Sequence, residues 1–94
     1  ARWVEVAADL TADPASQMRQ ILDQIDETLA SLHATRKDLL EVVIHLADLD
    51  DISTLNMLWD AWIPSGHAPI RACVRSGLAG NCRAEFIVHA AIKE

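Results

Sequence analysis

The sequence predicts an α+β fold in which a single β-sheet carries two helices on one of its faces. The 94 residues are enough for one domain, which we place over residues 1–94. Two segments repeat apolar residues at the three- and four-residue spacing of amphipathic helices. Four other segments alternate or are rich in β-branched residues, as strands are. The predicted order of elements is β-α-β-α-β-β.

The first half of the chain is expected to form a strand, a long helix and a second strand. Residues 2–7 alternate in the manner of a half-buried strand. Asp13 followed by Pro14 indicates a helix start, because Asp caps free N–H groups and Pro at the first helical position has none to leave unpaired. We expect this helix to end near His33. Residues 39–47 then form a largely buried strand.

The second half is expected to form a helix and two further strands. The apolar face of the helix runs from Ile52 to Trp62, and the helix-breaking segment that begins at Pro64 ends it. Residues 70–75 alternate strictly and predict a strand. Residues 84–92 form the last one.

Both helices are predicted to pack on the same face of the sheet, which leaves the opposite face open. The chain is 51% hydrophobic, more than a small core easily hides. Self-association through the open face accounts for this excess, and so does a densely packed monomer. Composition leaves both interpretations open.

Charge and residue spacing exclude several function classes. A net charge of −6 without a basic stripe argues against nucleic acid as a partner. No apolar run is long enough to span a bilayer and no leader is evident, so we expect a cytoplasmic protein without membrane contact. The cysteines and histidines have no zinc spacing, and we expect neither metal nor cofactor. Reduced thiols are the default for Cys73 and Cys82, although a disulfide is not excluded.

The residues with most chemical interest lie on the last two strands. Arg71 and Cys73 project from one face of a strand, and arginine suits bidentate binding of a carboxylate. The alternatives are a solvated or ion-paired arginine and an inert thiol. If the last two strands pair as a hairpin, Glu85 lies near this row and can position a water. Alternatively, Glu85 only neutralises Arg83 or Arg71.

Other polar and aromatic residues have a simpler interpretation. Trp59 and Trp62 are expected in the core or at an interface rather than around a ligand. His45 and His89 are expected to be structural histidines rather than metal ligands.

The stretch from Leu40 to Ala91 resembles the RidA/YjgF family of small trimeric proteins. The helix from Asp13 to His33 is similar to the family's first helix. Four later segments resemble, in order, the family's strand with an Asp-rich turn, its helix with an asparagine and aromatic residues, its Pro-x-Arg-x-x-Val signature and its closing strand: Glu41–Asp51, Leu55–Trp62, His67–Val74 and Ala84–Ala90.

The resemblance implies a chorismate-mutase-like fold with a mixed sheet, a homotrimer and small-molecule sites in the intersubunit clefts. Family members that are active hydrolyse enamines or imines derived from amino acids. By position, Arg71 would bind the substrate carboxylate and Asn56 would lie close by. Cys73 would offer its backbone or thiol, and Glu85 would orient the attacking water.

The favoured function is therefore a 2-iminobutanoate/2-iminopropanoate deaminase, a hydrolase that acts on small amino-acid-derived carboxylates. The alternatives are a non-catalytic trimer that binds small metabolites such as 2-keto acids, and a structural interaction module. Two departures from the family leave enzyme activity open. The chain contains no tyrosine, and Ile70 replaces a small residue of the signature.

Overall fold

The computed structural model describes residues 1–92, which form a mixed four-stranded sheet with two helices on one face. The last two positions of the expected 1–94 domain lie outside the described residues. The predicted α+β fold and the order β-α-β-α-β-β are confirmed. The elements are β1 (Arg2–Val6), α1 (Pro14–Ser31), β2 (Leu39–Leu46), α2 (Ile52–Trp62), β3 (Ile70–Arg75) and β4 (Ala84–Ala90).

Helix α1 begins where the sequence predicts and ends slightly earlier. The Asp13 carboxylate accepts a hydrogen bond from the Ser16 backbone N–H at 2.7 Å, and Pro14 is the first helical residue. The helix ends at Ser31, because His33 adopts a left-handed φ of 56° that an α-helix cannot include. Neither α1 nor α2, the α-helices of residues 1–92, is long and apolar enough to cross a membrane.

The strands lie in the order β1-β4-β2-β3. Strand β4 is antiparallel to both of its neighbours, whereas β2 and β3 are parallel. Parallel strands need a crossover connection, which α2 supplies. The hairpin considered for the last two strands is wrong, because β2 lies between β3 and β4. This order places β3 at an edge of the sheet.

The core lies between the helices and one face of the sheet. On β4, Phe86 and Val88 are fully buried, while the alternate residues face the other way. Trp59 and Trp62 belong to this core, as predicted. The fully buried apolar side chains from the helices and from β2 are Met18, Ile21, Ile25, Leu29, Val42, Ile44, Leu46 and Leu55.

The opposite face of the sheet carries no helix within residues 1–92, as predicted. A row of apolar residues crosses all four strands at its centre, in the register Val4–Ile87–Val43–Ala72. Val4 is 57% exposed and Ile70, at the edge, is 71% exposed. We call this surface the open face.

Candidate functional site

Edge strand β3 directs Arg71 and Cys73 toward the helices. Arg71 pairs with Val42 in the register of β2, and Cys73 pairs with Ile44. Both partners are fully buried on the helix side of the sheet. Because paired residues share a face, Arg71 and Cys73 point to that side as well. The predicted arrangement of these two residues on one face is confirmed.

Helix α2 holds the Arg71 side chain by two contacts. Arg71 Nη2 donates a hydrogen bond to Asn56 Oδ1 at 2.8 Å. The guanidinium carbon lies 5.6 Å from the centre of the Trp59 ring, a distance at which a cation is attracted to the aromatic face. Asn56 and Trp59 are three residues apart, so they are neighbours on the helix surface. The helix therefore orients the guanidinium group.

The partner of Arg71 differs from those of the other half-buried arginines. Arg36 and Arg83 each pair with an aspartate, at 2.7 Å and 2.9 Å respectively. Arg71 contacts a neutral amide, and no carboxylate of residues 1–92 lies within ion-pair distance of it. A half-buried charge without a counter-ion is costly unless an anion from outside compensates it. This arrangement suits the binding of a carboxylate.

Cys73 is half-buried against the core. Burial raises the pKa of its thiol, and the charge of Arg71 opposes this increase with a smaller effect. The thiol is therefore protonated at neutral pH and a poor nucleophile. The backbone of an edge strand is unpaired on its outer side. The backbone beside Cys73 is thus better suited to ligand contact than the sulfur.

Within one folded subunit, Glu85 lies far from Arg71. Strand β2 separates their strands, and their backbone positions are about 14 Å apart, since they differ by two strands and three residues. Their side chains also point to opposite faces of the sheet. The predicted proximity of Glu85 to the Arg71–Cys73 row is therefore wrong within one chain, because it rested on a hairpin that does not form.

On the open face, Glu85 has a different partner. Glu85 Oε1 lies 3.0 Å from His45 Nδ1, across the antiparallel pair β2–β4. Both side chains are partly accessible, at 25% for His45 and 30% for Glu85. The alternative in which Glu85 neutralises Arg83 or Arg71 is wrong, because Arg83 pairs with Asp51 and Arg71 with Asn56.

Two surface depressions of the single chain do not include these residues. The first, of about 420 Å³, lies beside the carboxyl-terminal half of α1, and the second, of about 350 Å³, lies between the middle of α1 and the carboxyl-terminal half of α2. Asp26 and Arg36 line the first, and Arg36 and Trp62 line the second. Neither is lined by Arg71 or Glu85. Residues 1–92 also contain no cluster of three or more metal-ligating side chains.

The comparisons with known proteins agree with this fold. The family model described as Endoribonuclease L-PSP matches residues 5–92. The chain belongs to this family. The family's YjgF members include a protein from Neisseria meningitidis whose crystal structure has a TM-score of 0.90 and 33% identity, over 98% of this chain and 77% of that one. The resemblance to the RidA/YjgF family seen in the sequence is confirmed.

Other similar proteins show how far the similarity extends. A crystal structure from Pseudomonas aeruginosa has a TM-score of 0.91 and 43% identity, over 96% of this chain and 79% of that one. The RutC family protein YoaB of Escherichia coli is 40% identical over 81% of this chain and 67% of its own length. The 2-iminobutanoate/2-iminopropanoate deaminase of Escherichia coli is 29% identical over 70% of this chain and 53% of its own length.

Within this family member, sequence reasoning missed two contacts of the candidate residues. Trp59 was expected in the core or at an interface, and the support that its ring gives to Arg71 was not predicted. His45 was expected to be a structural histidine, and its partner Glu85 was not predicted. A signal for the second contact was present. The pattern Glu-x-apolar-x-His occurs at residues 41–45 and again at 85–89, and such spacing puts both polar residues on one strand face.

Proposed function

We propose that this chain is a subunit of a homotrimer that binds small 2-keto or 2-imino acids at Arg71 and hydrolyses the imines. The half-buried guanidinium of Arg71, held by Asn56 and Trp59 without a carboxylate partner, is the observation that carries the proposal. Two parallel hydrogen bonds from a guanidinium group match a planar carboxylate. A distant relative, the deaminase of Escherichia coli, is named for its action on 2-iminobutanoate and 2-iminopropanoate, which are carboxylates of this kind.

In the proposed reaction, water adds to the C=N carbon of a 2-imino acid and gives a carbinolamine. Collapse of this intermediate breaks the C–N bond and forms the C=O bond of a 2-keto acid, while the nitrogen leaves as ammonia. An enamine substrate first takes a proton on carbon and becomes the imine. Glu85 would accept a hydrogen bond from the attacking water. No cofactor enters this sequence of steps, and we place the reaction in the cytoplasm.

The cleft for this reaction would form between subunits. Arg71 and Glu85 of one chain are too far apart to contact one small molecule, as their strand positions require. A carboxylate bound at the β3 edge of one subunit would therefore meet Glu85 on the open face of another. The open face is supported as the contact surface by its exposed apolar side chains, which are Val4, Val6, Ile70 and Val74.

A non-catalytic carboxylate-binding trimer is the second candidate function. The Cys73 thiol is held protonated by burial, and Glu85 is already engaged by His45. Both features suit a binding site as well as a catalytic one. Arg71 has the same role in both functions, so ligand binding tests what they share and ammonia release distinguishes them.

The test measures 2-keto acid binding by calorimetry and ammonia release from a freshly generated 2-aminoacrylate-type imine. Arg71→Lys keeps the positive charge but loses the two parallel N–H donors of the guanidinium group. We expect at least about tenfold weaker binding, which corresponds to about 1.4 kcal/mol. Arg71→Ala should bind more weakly still and remain assembled. Arg75→Ala, an exposed arginine of the same strand, is the control and should bind as the parent does.

Each result has a distinct meaning. Binding without ammonia release supports the non-catalytic function, and binding with ammonia release supports the deaminase. If Arg71→Ala binds 2-keto acids as well as the parent, the site assignment is wrong. If it loses its assembly while keeping its affinity, Arg71 has a structural role instead. Light scattering on the parent and both variants separates these outcomes, and a monomeric parent contradicts the trimer.

A further inference from the structure

The open face carries two opposed Glu–His pairs related by the antiparallel pairing of β2 and β4. Glu41 on β2 lies opposite His89 on β4, and His45 on β2 lies opposite Glu85 on β4. The central apolar row separates the two pairs. The same polar pattern therefore occurs at both ends of the face, which provides an internal comparison.

Only one of the two pairs is joined by a hydrogen bond. His45 Nδ1 and Glu85 Oε1 are 3.0 Å apart. Among the hydrogen bonds and ion pairs of residues 1–92, none joins Glu41 to His89, although they are directly opposite in the register. Cross-strand position alone does not produce the contact, so the His45–Glu85 pair is a specific arrangement of these two side chains.

The positions that directly face this pair on the neighbouring strands carry apolar side chains. In the register, Glu85 is flanked by Val6 on β1, and His45 is flanked by Val74 on β3. The helices lie on the other side of the sheet. A carboxylate flanked by apolar groups depends strongly on the few donors it has. His45 is therefore the group that fixes the orientation of the Glu85 carboxylate.

We propose that His45 is a positioning residue, which donates from Nδ1 to Glu85 Oε1 and so leaves Oε2 directed toward the attacking water. This inference rests on the proposed deaminase function. Both the neutral Nδ1–H tautomer and the imidazolium carry a proton on Nδ1, so either form can donate. His45 touches Glu85 rather than the substrate, and its effect reaches the reaction through the position of one carboxylate oxygen.

The proposal predicts a separation of kcat from ligand affinity. His45→Leu removes the donor and should lower kcat about ten- to a hundredfold, because misplacement of a catalytic group slows the reaction without removing it. The affinity for a 2-keto acid should stay within about threefold, because Arg71 supplies the carboxylate contact. His45→Asn places an amide N–H near the position of Nδ1 and should restore kcat to within about threefold of the parent.

His89→Leu is the matched control, since His89 occupies the equivalent position of the unjoined pair on the same face. This variant should keep both kcat and affinity. Nitrogen NMR of the parent supplies a readout that is independent of turnover. Neutral His45 should have its proton on Nδ1, and Glu85→Leu should shift the population toward the Nε2–H tautomer, whereas Glu41→Leu should leave it unchanged.

The outcomes separate failure of this inference from failure of the proposed function. If the parent is active and His45→Leu leaves kcat unchanged, the positioning role alone is overturned. The same holds if His45→Asn and His89→Leu lower kcat as much as His45→Leu does. A parent that binds 2-keto acids but releases no ammonia overturns the deaminase and, with it, the positioning role of His45. A parent whose neutral His45 is in the Nε2–H tautomer overturns the donated hydrogen bond itself.

Discussion

The two faces of the sheet are built by the same four strands but hold different kinds of side chain. On the helix face, Phe86 and Val88 of β4 are fully buried. On the open face, Ile87 of the same strand is half-buried and its β1 neighbour Val4 is largely exposed. The candidate site is divided in the same way, since Arg71 points to the helix side and Glu85 to the open side. One face therefore stabilises the subunit, and the other remains available for assembly.

The largest expected effect is on the free energy of unfolding, and it appears when two adjacent residues of β4 are compared. Phe86→Ala leaves a large cavity in the core and should lower the free energy of unfolding by about 3–5 kcal/mol. Ile87→Ala, on the open face, should cost less than half as much at the same protein concentration, because Ile87 is only half-buried in the chain. Urea unfolding of both variants measures the difference. Equal costs would mean that Ile87 is buried as deeply as Phe86, either in the subunit core or in the contact between subunits.

The next prediction concerns the centre of the open face. Ile87→Lys puts a charge into the proposed contact surface and should weaken assembly at least about a hundredfold, which corresponds to about 2.7 kcal/mol. Met57→Lys, on the exposed surface of α2, is the control and should assemble normally. Sedimentation velocity over a range of concentrations measures both. If the two variants dissociate alike, subunits do not meet on the open face.

A smaller loss of stability is expected from a change at Gln17, the fully buried polar residue of α1. Its amide donates to the carbonyl oxygens of Ala12 and Asn81 at 3.0 Å and 2.9 Å, and accepts from the Arg83 N–H at 2.9 Å. Gln17→Leu leaves these groups unpaired and should cost about 2 kcal/mol of unfolding free energy. Gln20→Leu, at a more exposed position of α1, should cost less than half as much.

Urea unfolding also tests this pair of glutamine variants. A parent-like stability for Gln17→Leu would show that water replaces the lost hydrogen bonds. In that case, the start of β4 would not depend on Gln17 of α1 for its position.

The smallest predicted effect is a pH dependence in the helix layer. Hydrogen bonds from the Ser16 backbone N–H and hydroxyl lower the pKa of Asp13 below its ordinary value of 3.8. The cap therefore stabilises the fold above that value, and the contribution is lost as pH falls through the lowered pKa of the folded state. Asp13→Asn keeps an acceptor but does not titrate.

Thermal unfolding of the parent and Asp13→Asn between about pH 2 and 7 should show this difference. The advantage of the parent should shrink toward the acid end of the range, because the protonated carboxyl is a poorer acceptor than the ionised one. Asp60→Asn, an exposed change on α2, controls for net charge. A parent advantage that is constant with pH would contradict a titrating cap.

Local sequence signals predicted most of the fold because each element depends on nearby residues. Asp13-Pro14 started α1 where the cap forms, and the alternation of residues 70–75 predicted β3 without error. The boundary near His33 was two residues too late, since the left-handed φ of that residue was not evident from its side chain. The predicted last strand was also too long, since it extended to Ile92 whereas β4 ends at Ala90.

The site was predicted less completely than the fold. The sequence singled out Arg71 and Asn56 as candidate binding residues. The structure adds that they contact each other and that Arg71 has no carboxylate partner among residues 1–92. The expected position of Glu85 beside Arg71 was wrong. Nothing in the local pattern indicates that β2 is inserted between the last two strands.

The sequence by itself determined the kind of each element, the two helices on one face and the family of the chain. These depend on side-chain periodicity, on caps and on motifs, all of which are local along the chain. Only the tertiary structure decided the order β1-β4-β2-β3 and, with it, the separation of Arg71 from Glu85 and the pairing of Glu85 with His45. Strand order depends on which distant segments pack together. The repeated Glu-x-apolar-x-His pattern puts Glu and His on one face of each strand, but it does not say that these two strands are neighbours.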